Sequence, residues 1–283
     1  MYTTLAAVKT ELQSDNTTID NELYGKIRAT SRLIDKALFG SNRAVFAPTT
    51  ETRSFRLRND RIDRAYRIYT FANSLKDSLF TLESVVLNGT TVSGATLYQV
   101  TPNRPATALQ LPSGTTWHRY CNASSTPPTI RITGVWGYHE DYANAWENED
   151  TLQADITASA TSLAVADVDG SDTWGETPRL SAGNLLKVND EIMLVTATDT
   201  AADTAAVRRG MQGTTAAAHT SGDTVSVWQL DTALRLMVAR QVAAQYAKQG
   251  GYTDMDISGG ATQRGVSTFL PELLTYLNSF NYD

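Results

Sequence analysis

Three kinds of residue are scarce in this chain. One cysteine, Cys121, in 283 residues excludes an internal disulfide framework and fits a reducing compartment. Three histidines, His118, His139 and His219, stand apart, none with a second ligand three or four residues away. That spacing leaves no converging metal set. No apolar run approaches the ~20 residues of a membrane span, and the first residues lack the basic-then-apolar order of a signal peptide. A soluble protein made in a cytoplasm is expected, so the sequons at Asn16, Asn88 and Asn122 carry no weight. Basic residues are scarce in one region only. Residues 140–231 hold 4 Lys/Arg against 16 Asp/Glu, whereas residues 1–76 hold 13 against 8. The basic part suits phosphate or an acidic partner, and the acidic part should repel nucleic acid.

What is present builds cores: 41% of the residues are hydrophobic and 19% charged. The organising stretch is 129–138, TIRITGVWGY. Ile130, Ile132, Gly134 and Trp136 fall on one face of a strand. The next good helix is 228–249, some ninety residues later. The stretch between differs in character, so strand and helix are read as one core with a second module spliced between them.

In chain order, 4–13 is a short amphipathic helix, and Asp20 caps a longer one to about Leu38 with Leu23, Ile27, Ile34 and Leu38 as its buried stripe. Strands are expected at 51–57, 64–71, 79–87, 90–92, 97–100 and 108–111, with an Asn88-Gly89 hairpin turn. Residues 140–150 are acidic and poorly periodic and read as a linker. The insert, 151–227, alternates in short strands at 152–156, 162–165, 185–188, 192–198, 205–208 and 224–228, the pattern of a small β-barrel or sandwich. Helix 228–249 is apolar almost all round and needs cover on more than one face. A Gly- and Thr-rich stretch then leads to a short leucine-rich helix at 269–280.

No motif reaches a catalytic constellation. The loop 167–172 lacks the ligand spacing of a calcium loop and reads as an Asx-type turn. Residues 210–215 carry glycines but no P-loop lysine, and read as a turn between strands. Glu140, Asp141, Glu147, Glu149 and Asp150 contain carboxylates enough for a catalytic pair, but a solvated linker accounts for them. Cys121 has no neighbouring histidine. The one cationic run is Arg53, Arg56, Arg58, Arg61, Arg64 and Arg67, of which Arg56, Arg58 and Arg64 are the candidate contacts to phosphate or an acidic partner. A chain with cores and no reactive site is expected to assemble rather than react, so no enzyme and no cofactor are expected.

Several short stretches carry a resemblance. They are YTTLAAVKTELQ at 2–13, ATSRLID at 29–35, ETRSF at 51–55, ITGVWGY at 132–138, NDEIMLVT at 189–196 and RRGMQGTTAAAH at 208–219. With these the chain resembles the head–tail connector (adaptor) proteins of long-tailed bacteriophages, in a version carrying an extra β module.

The resemblance implies an α+β fold. Its helical bundle core comprises the two N-terminal helices and the long later helix (1–43 and 228–283), with a β-lobe at 44–139, an acidic linker at 140–150 and the inserted barrel or sandwich at 151–227. It implies a structural adaptor in the virion neck: a homo-oligomeric ring, with the portal's twelve-fold symmetry, between portal and stopper or tail-terminator. Double-stranded DNA would pass through it without sequence-specific contact, for head completion and genome retention. Leu230, Leu234, Met237, Val238, Val242 and Tyr246 would pack ring neighbours. Phe269, Leu270, Leu273, Leu274 and Leu277 would dock on the portal or an adjacent subunit. The rival reading is a β-rich carbohydrate-binding or host-adhesion virion protein with Trp146, Trp174 and Trp228 stacking on sugars.

Overall fold

A computed structural model of the chain describes residues 1–39, 46–56, 67–68, 78–98, 106, 108–113, 129–249 and 269–279. Four α-helices lie among them: α1 (Leu5–Leu12), α2 (Asp20–Phe39), α3 (Thr232–Gln249) and α4 (Pro271–Asn278). The strands are β1 (Thr49–Arg56), β2 (Arg67–Ile68), β3 (Leu79–Leu87), β4 (Thr90–Thr91), β5 (Thr96–Tyr98), β6 (Ala108–Gln110), β7 (Thr129–Trp136), β8 (Trp146–Thr151), β9 (Ser162–Ala164), β10 (Leu185–Val188), β11 (Glu191–Asp199), β12 (Thr204–Arg208) and β13 (Thr224–Trp228). They form three sheets, ordered β1-β7-β3-β4, β2-β6-β5 and β8-β13-β10-β11-β12-β9.

This corrects the expected helical bundle core: the described fold is mostly β, and although α1 and α2 pack on α3, the other buried clusters are drawn largely from the sheets. Two of the four helices have only eight residues, too short to carry a core of their own. The apolar faces of α3 are covered within the chain: Leu234 and Val238 share a core with Leu185, Leu194 and Trp228 from the six-stranded sheet, and Ala239 and Val242 pack with Val8, Leu23 and Ile27 of α1 and α2.

In the lobe, β7 lies between β1 and β3, with Ile132 opposite both Arg53 and Val85. Ile130, Ile132 and Trp136 project inward with Leu79, Val85, Leu87, Leu109 and Leu111. Asn88 and Gly89 both take positive φ, the turn that joins β3 to β4. Gly134 is fixed by contact: a Cβ there would stand 2.1 Å from the Thr81 carbonyl oxygen, where β3 is bulged.

The six-stranded sheet closes on itself. Beyond β8 the chain bridges Leu152 to Val165 at the end of β9, so first and last strands meet and a small barrel results. Its interior is aliphatic, with Leu152, Leu163, Val165, Leu186, Val188, Met193, Val195, Val207, Val225 and Val227 among its members. On β11, Met193 and Val195 point into the barrel while Ile192 and Leu194 point out to the helices. Both faces are therefore buried, which explains the unbroken apolar run there. Residues 146–150, read from sequence as the end of a linker, belong to strand β8. It pairs with β13 so that Trp146 faces Trp228.

Candidate interaction surfaces

A junction core binds the helices, lobe and barrel. Its members include Tyr2, Ile34, Leu38, Phe46, Phe80, Leu185, Leu194, Trp228, Leu234, Val238 and Leu273. Trp228 is its hub. It is 5% exposed, it donates its indole N–H to the Phe46 carbonyl at 3.0 Å, and its ring meets Phe80, His139, Tyr142 and Trp146. Buried aromatic pairs of this kind add to area burial.

A second tie is polar. Glu191, at the start of β11, is 1% exposed. Its Oε1 accepts from Arg209 Nε at 2.7 Å and Gly210 N at 3.0 Å. Its Oε2 accepts from an Arg209 terminal nitrogen at 2.7 Å, Ala217 N at 2.9 Å and His219 Nε2 at 2.9 Å. Asn189 Nδ2 faces His219 Nδ1 at 3.3 Å, which places the imidazole proton on Nε2. Burial raises the Glu191 pKa, but Arg209, Ala217 N, His219 and Gly210 N outweigh it and hold the carboxyl at about 2. Five donors saturate this carboxylate, so it has no lone pair left for a substrate and acts as a brace.

The brace fixes the loop 210–217, whose tip reaches the lobe. Gln212 O accepts from Thr50 N at 2.8 Å and its Oε1 from Thr49 Oγ1 at 2.9 Å. Gly213 has φ +80°, and a Cβ there would stand 1.9 Å from the Thr50 carbonyl oxygen. The turn that resembles a phosphate cradle only in its glycines is thus a clasp between barrel and lobe. A further tie comes from the N-terminal helix: Leu5 N and Ala6 N donate to Ala182 O and Ser181 Oγ, fastening α1 to the barrel.

The acidic stretch is equally engaged. Asp150 is buried; it accepts from Thr151 N, Ala166 N and Asp167 N, and pairs with Arg179 at 3.1 Å. Glu149 accepts from Thr173 through N–H and hydroxyl. Glu147 accepts the Trp174 indole N–H. Asp167, Asp169 and Asp203 bring carboxylate oxygens within 4.8 Å of one another, but Asp167 accepts from Gly170 N and Asp203 from Val168 N, as turn-formers do. His139 bridges Gln229 O and Asp141 N, and burial lowers its pKa.

Of the residues expected at a ring interface, Leu234, Val238 and Val242 are fully buried within the chain itself, while Leu230, Met237 and Tyr246 are half-buried. The cover that α3 needs comes from α1, α2, α4 and the barrel. Of the expected docking residues, Phe269, Leu273 and Leu277 are buried against the junction core, Leu270 is half-buried and its N–H is held by Gln241, and Leu274 is exposed. Arg56 ends β1, with its side chain outside the described residues; Arg58, Arg64, His118 and Cys121 also lie outside them. Arg53 is buried, paired with Glu51 at 2.7 Å and stacked 4.4 Å over Trp136. Of the three tryptophans proposed for sugar stacking, Trp228 is buried and Trp146 half-covered beneath Lys187. Only Trp174 is exposed, at 74%, with its indole N–H held by Glu147.

The chain matches no known protein family and no curated protein. No helix among the described residues is long and apolar enough to cross a membrane.

Proposed function

We propose that the chain is a structural adaptor of a phage neck. It would form a homo-oligomeric ring, a dodecamer, between the portal and the stopper or tail-terminator protein, and surround passing double-stranded DNA. One observation supports this reading above the rest. The stretches that carry the connector resemblance are those that hold the parts of the molecule together. Residues 2–13 form α1 and its tether to the barrel, 29–35 lie on α2 beside Tyr2, 51–55 and 132–138 are the paired strands β1 and β7, and 189–196 and 208–219 are the brace and clasp. A protein whose recognisable residues maintain a rigid body, and whose buried acids are spent on internal hydrogen bonds, suits a load-transmitting part better than a catalyst.

The greasiness of α3 no longer argues for a ring, since the chain covers it internally. The ring contacts are assigned instead to the apolar side chains left exposed, Leu33, Leu236 and Leu274, and to the charge asymmetry between the basic first quarter and the acidic region from 140 to 231. A heterologous interface of this kind closes into a ring without free ends.

The test is location and copy number in purified virions, read by labelling and by cryo-electron microscopy of the neck. A ring of copies at one vertex supports the proposal. Many copies elsewhere in the particle, or none, would falsify it. Trp174 alone keeps the carbohydrate-binding alternative in view; glycan binding by the full chain that is lost in Trp174→Ala would favour it.

A further inference from the structure

We propose that the cavity between α2 and strands β11 and β12 is a binding site for a phosphate group. The cavity has a volume of about 540 Å³, within the range of small-molecule sites. Three arginines line it. Arg28 and Arg32 lie one turn apart on α2, and Arg208 closes β12 from the opposite wall. None of the three guanidinium groups has an ion pair or hydrogen bond among the described residues, whereas Arg53, Arg179, Arg209, Arg235 and Arg240 are all paired. Like charges one turn apart on a helix repel each other, and Arg208 adds a third.

The cavity's own acids do not relieve that repulsion by pairing with these arginines. Asp35 accepts from the Tyr2 hydroxyl, and Glu51 accepts from Arg53 Nε at 2.7 Å. Tyr24, a turn before Arg28, also lines the cavity. Burial raises its hydroxyl pKa, while the charges of Arg208 and Arg28 act in the other direction. It therefore stays protonated and offers a further donor.

The donors define the ligand. Guanidinium forks pair bidentately with phosphate oxygens, and three of them, set against Asp35 on the same wall, still leave positive charge to meet a phosphate dianion. Ala47, Leu194 and Met211 supply an apolar wall for the body that carries the phosphate. Attraction by overall charge is not the explanation, because the chain carries a net charge of −6. The phosphate can belong to a small ester such as a nucleotide or to a nucleic acid backbone. The site is inferred from its own geometry and stands whether or not the neck proposal does.

The experiment is titration calorimetry on the full-length chain with four probes: inorganic phosphate, dAMP, a short blunt DNA duplex and oligo-glutamate. Variants R208A, R208K and R28A/R32A/R208A are compared with R131A, a change at an exposed arginine on β7 away from the cavity. Thermal unfolding verifies that each variant folds. Binding of phosphate or dAMP, weakened at least tenfold in R208A, abolished in the triple variant and unchanged in R131A, is the expected result. R208K, which keeps the charge and loses the fork, should fall between. Binding of the duplex alone, lost in the triple variant, supports the phosphate site with nucleic acid as its source. Three outcomes overturn the proposal: no binding of any probe, binding that survives the triple substitution, or binding of oligo-glutamate with none of phosphate. The last would mark the cavity as a contact for an acidic protein.

Discussion

The barrel core and the junction core are built from different materials. The barrel interior is aliphatic and drawn from a contiguous stretch, 152–227. The junction is rich in aromatics and gathers Tyr2, Phe46, Phe80, Trp228 and Phe269 from almost the whole length of the chain. A core made of near neighbours in sequence closes with little loop entropy, whereas one made of distant segments depends on each of them arriving. The barrel should behave as a self-sufficient unit and the junction as the joint that makes three units one.

The sharpest way to break that contrast is Trp228→Ala. It removes the hub, and a loss of about 3–5 kcal/mol is expected. The signature is the shape of the unfolding curve: the junction should fail first and the single transition split in two, while Leu186→Ala, inside the barrel, lowers the barrel transition only. A Trp228→Ala curve that stays single would show that the parts are not separable.

Removing the brace comes next. Glu191→Ala leaves Arg209 buried without its partner and should cost about 3–5 kcal/mol. The same carboxylate sets an acid limit. Its pKa is 4.5 when free and about 2 in the fold, so its contribution is complete above pH 4.5 and is lost as the pH falls through about 2. Stability measured across that window should decline in the parent chain and be flatter in Glu191→Gln.

A smaller effect is expected at the clasp. Gly213→Ala puts a methyl group against the Thr50 carbonyl at a positive φ, costing about 1–3 kcal/mol. Amide exchange at Thr50 should accelerate while that of the barrel strands stays slow; equal acceleration in both would deny the clasp its separate role. Least of all, Trp174→Ala should change stability by no more than about 0.5 kcal/mol, since the ring is exposed and only its N–H is held. A larger loss would mean that this loop supports the barrel.

The same contrast explains what the sequence discloses. Strands 185–188 and 224–228 are readable to the residue because each is a short, mostly apolar run preceded by a turn signal, Gly183-Asn184 and Gly222-Asp223, which is a local pattern. The start of α3 is readable only after the fact: Asp231 Oδ1 caps Leu234 N, so 228–231 is strand end and cap rather than helix. Strand β8 was hidden by its charges. Glu147, Glu149 and Asp150 look solvated until Trp174, Thr173 and Arg179, more than twenty residues later, return to meet them. The brace was hidden likewise, because nothing in Glu191, Arg209 or His219 alone signals that one is buried against the others. The bundle was misjudged because the periodicity of α3 shows how much surface must be covered, not that a sheet supplies part of the cover beside α1, α2 and α4. The arginine cavity joins two helix residues to one strand residue from the other half of the chain, a juxtaposition no local pattern announces.

The pairing of β8 with β13 sets Trp146 beside Trp228, so the barrel departs from its host and rejoins it at one spot. A module attached by two adjacent strands leaves the spacing of everything around it unchanged. Evolution could therefore gain, lengthen or discard this unit without moving β7 relative to α3, provided that whatever replaced it still offered an indole to the joint.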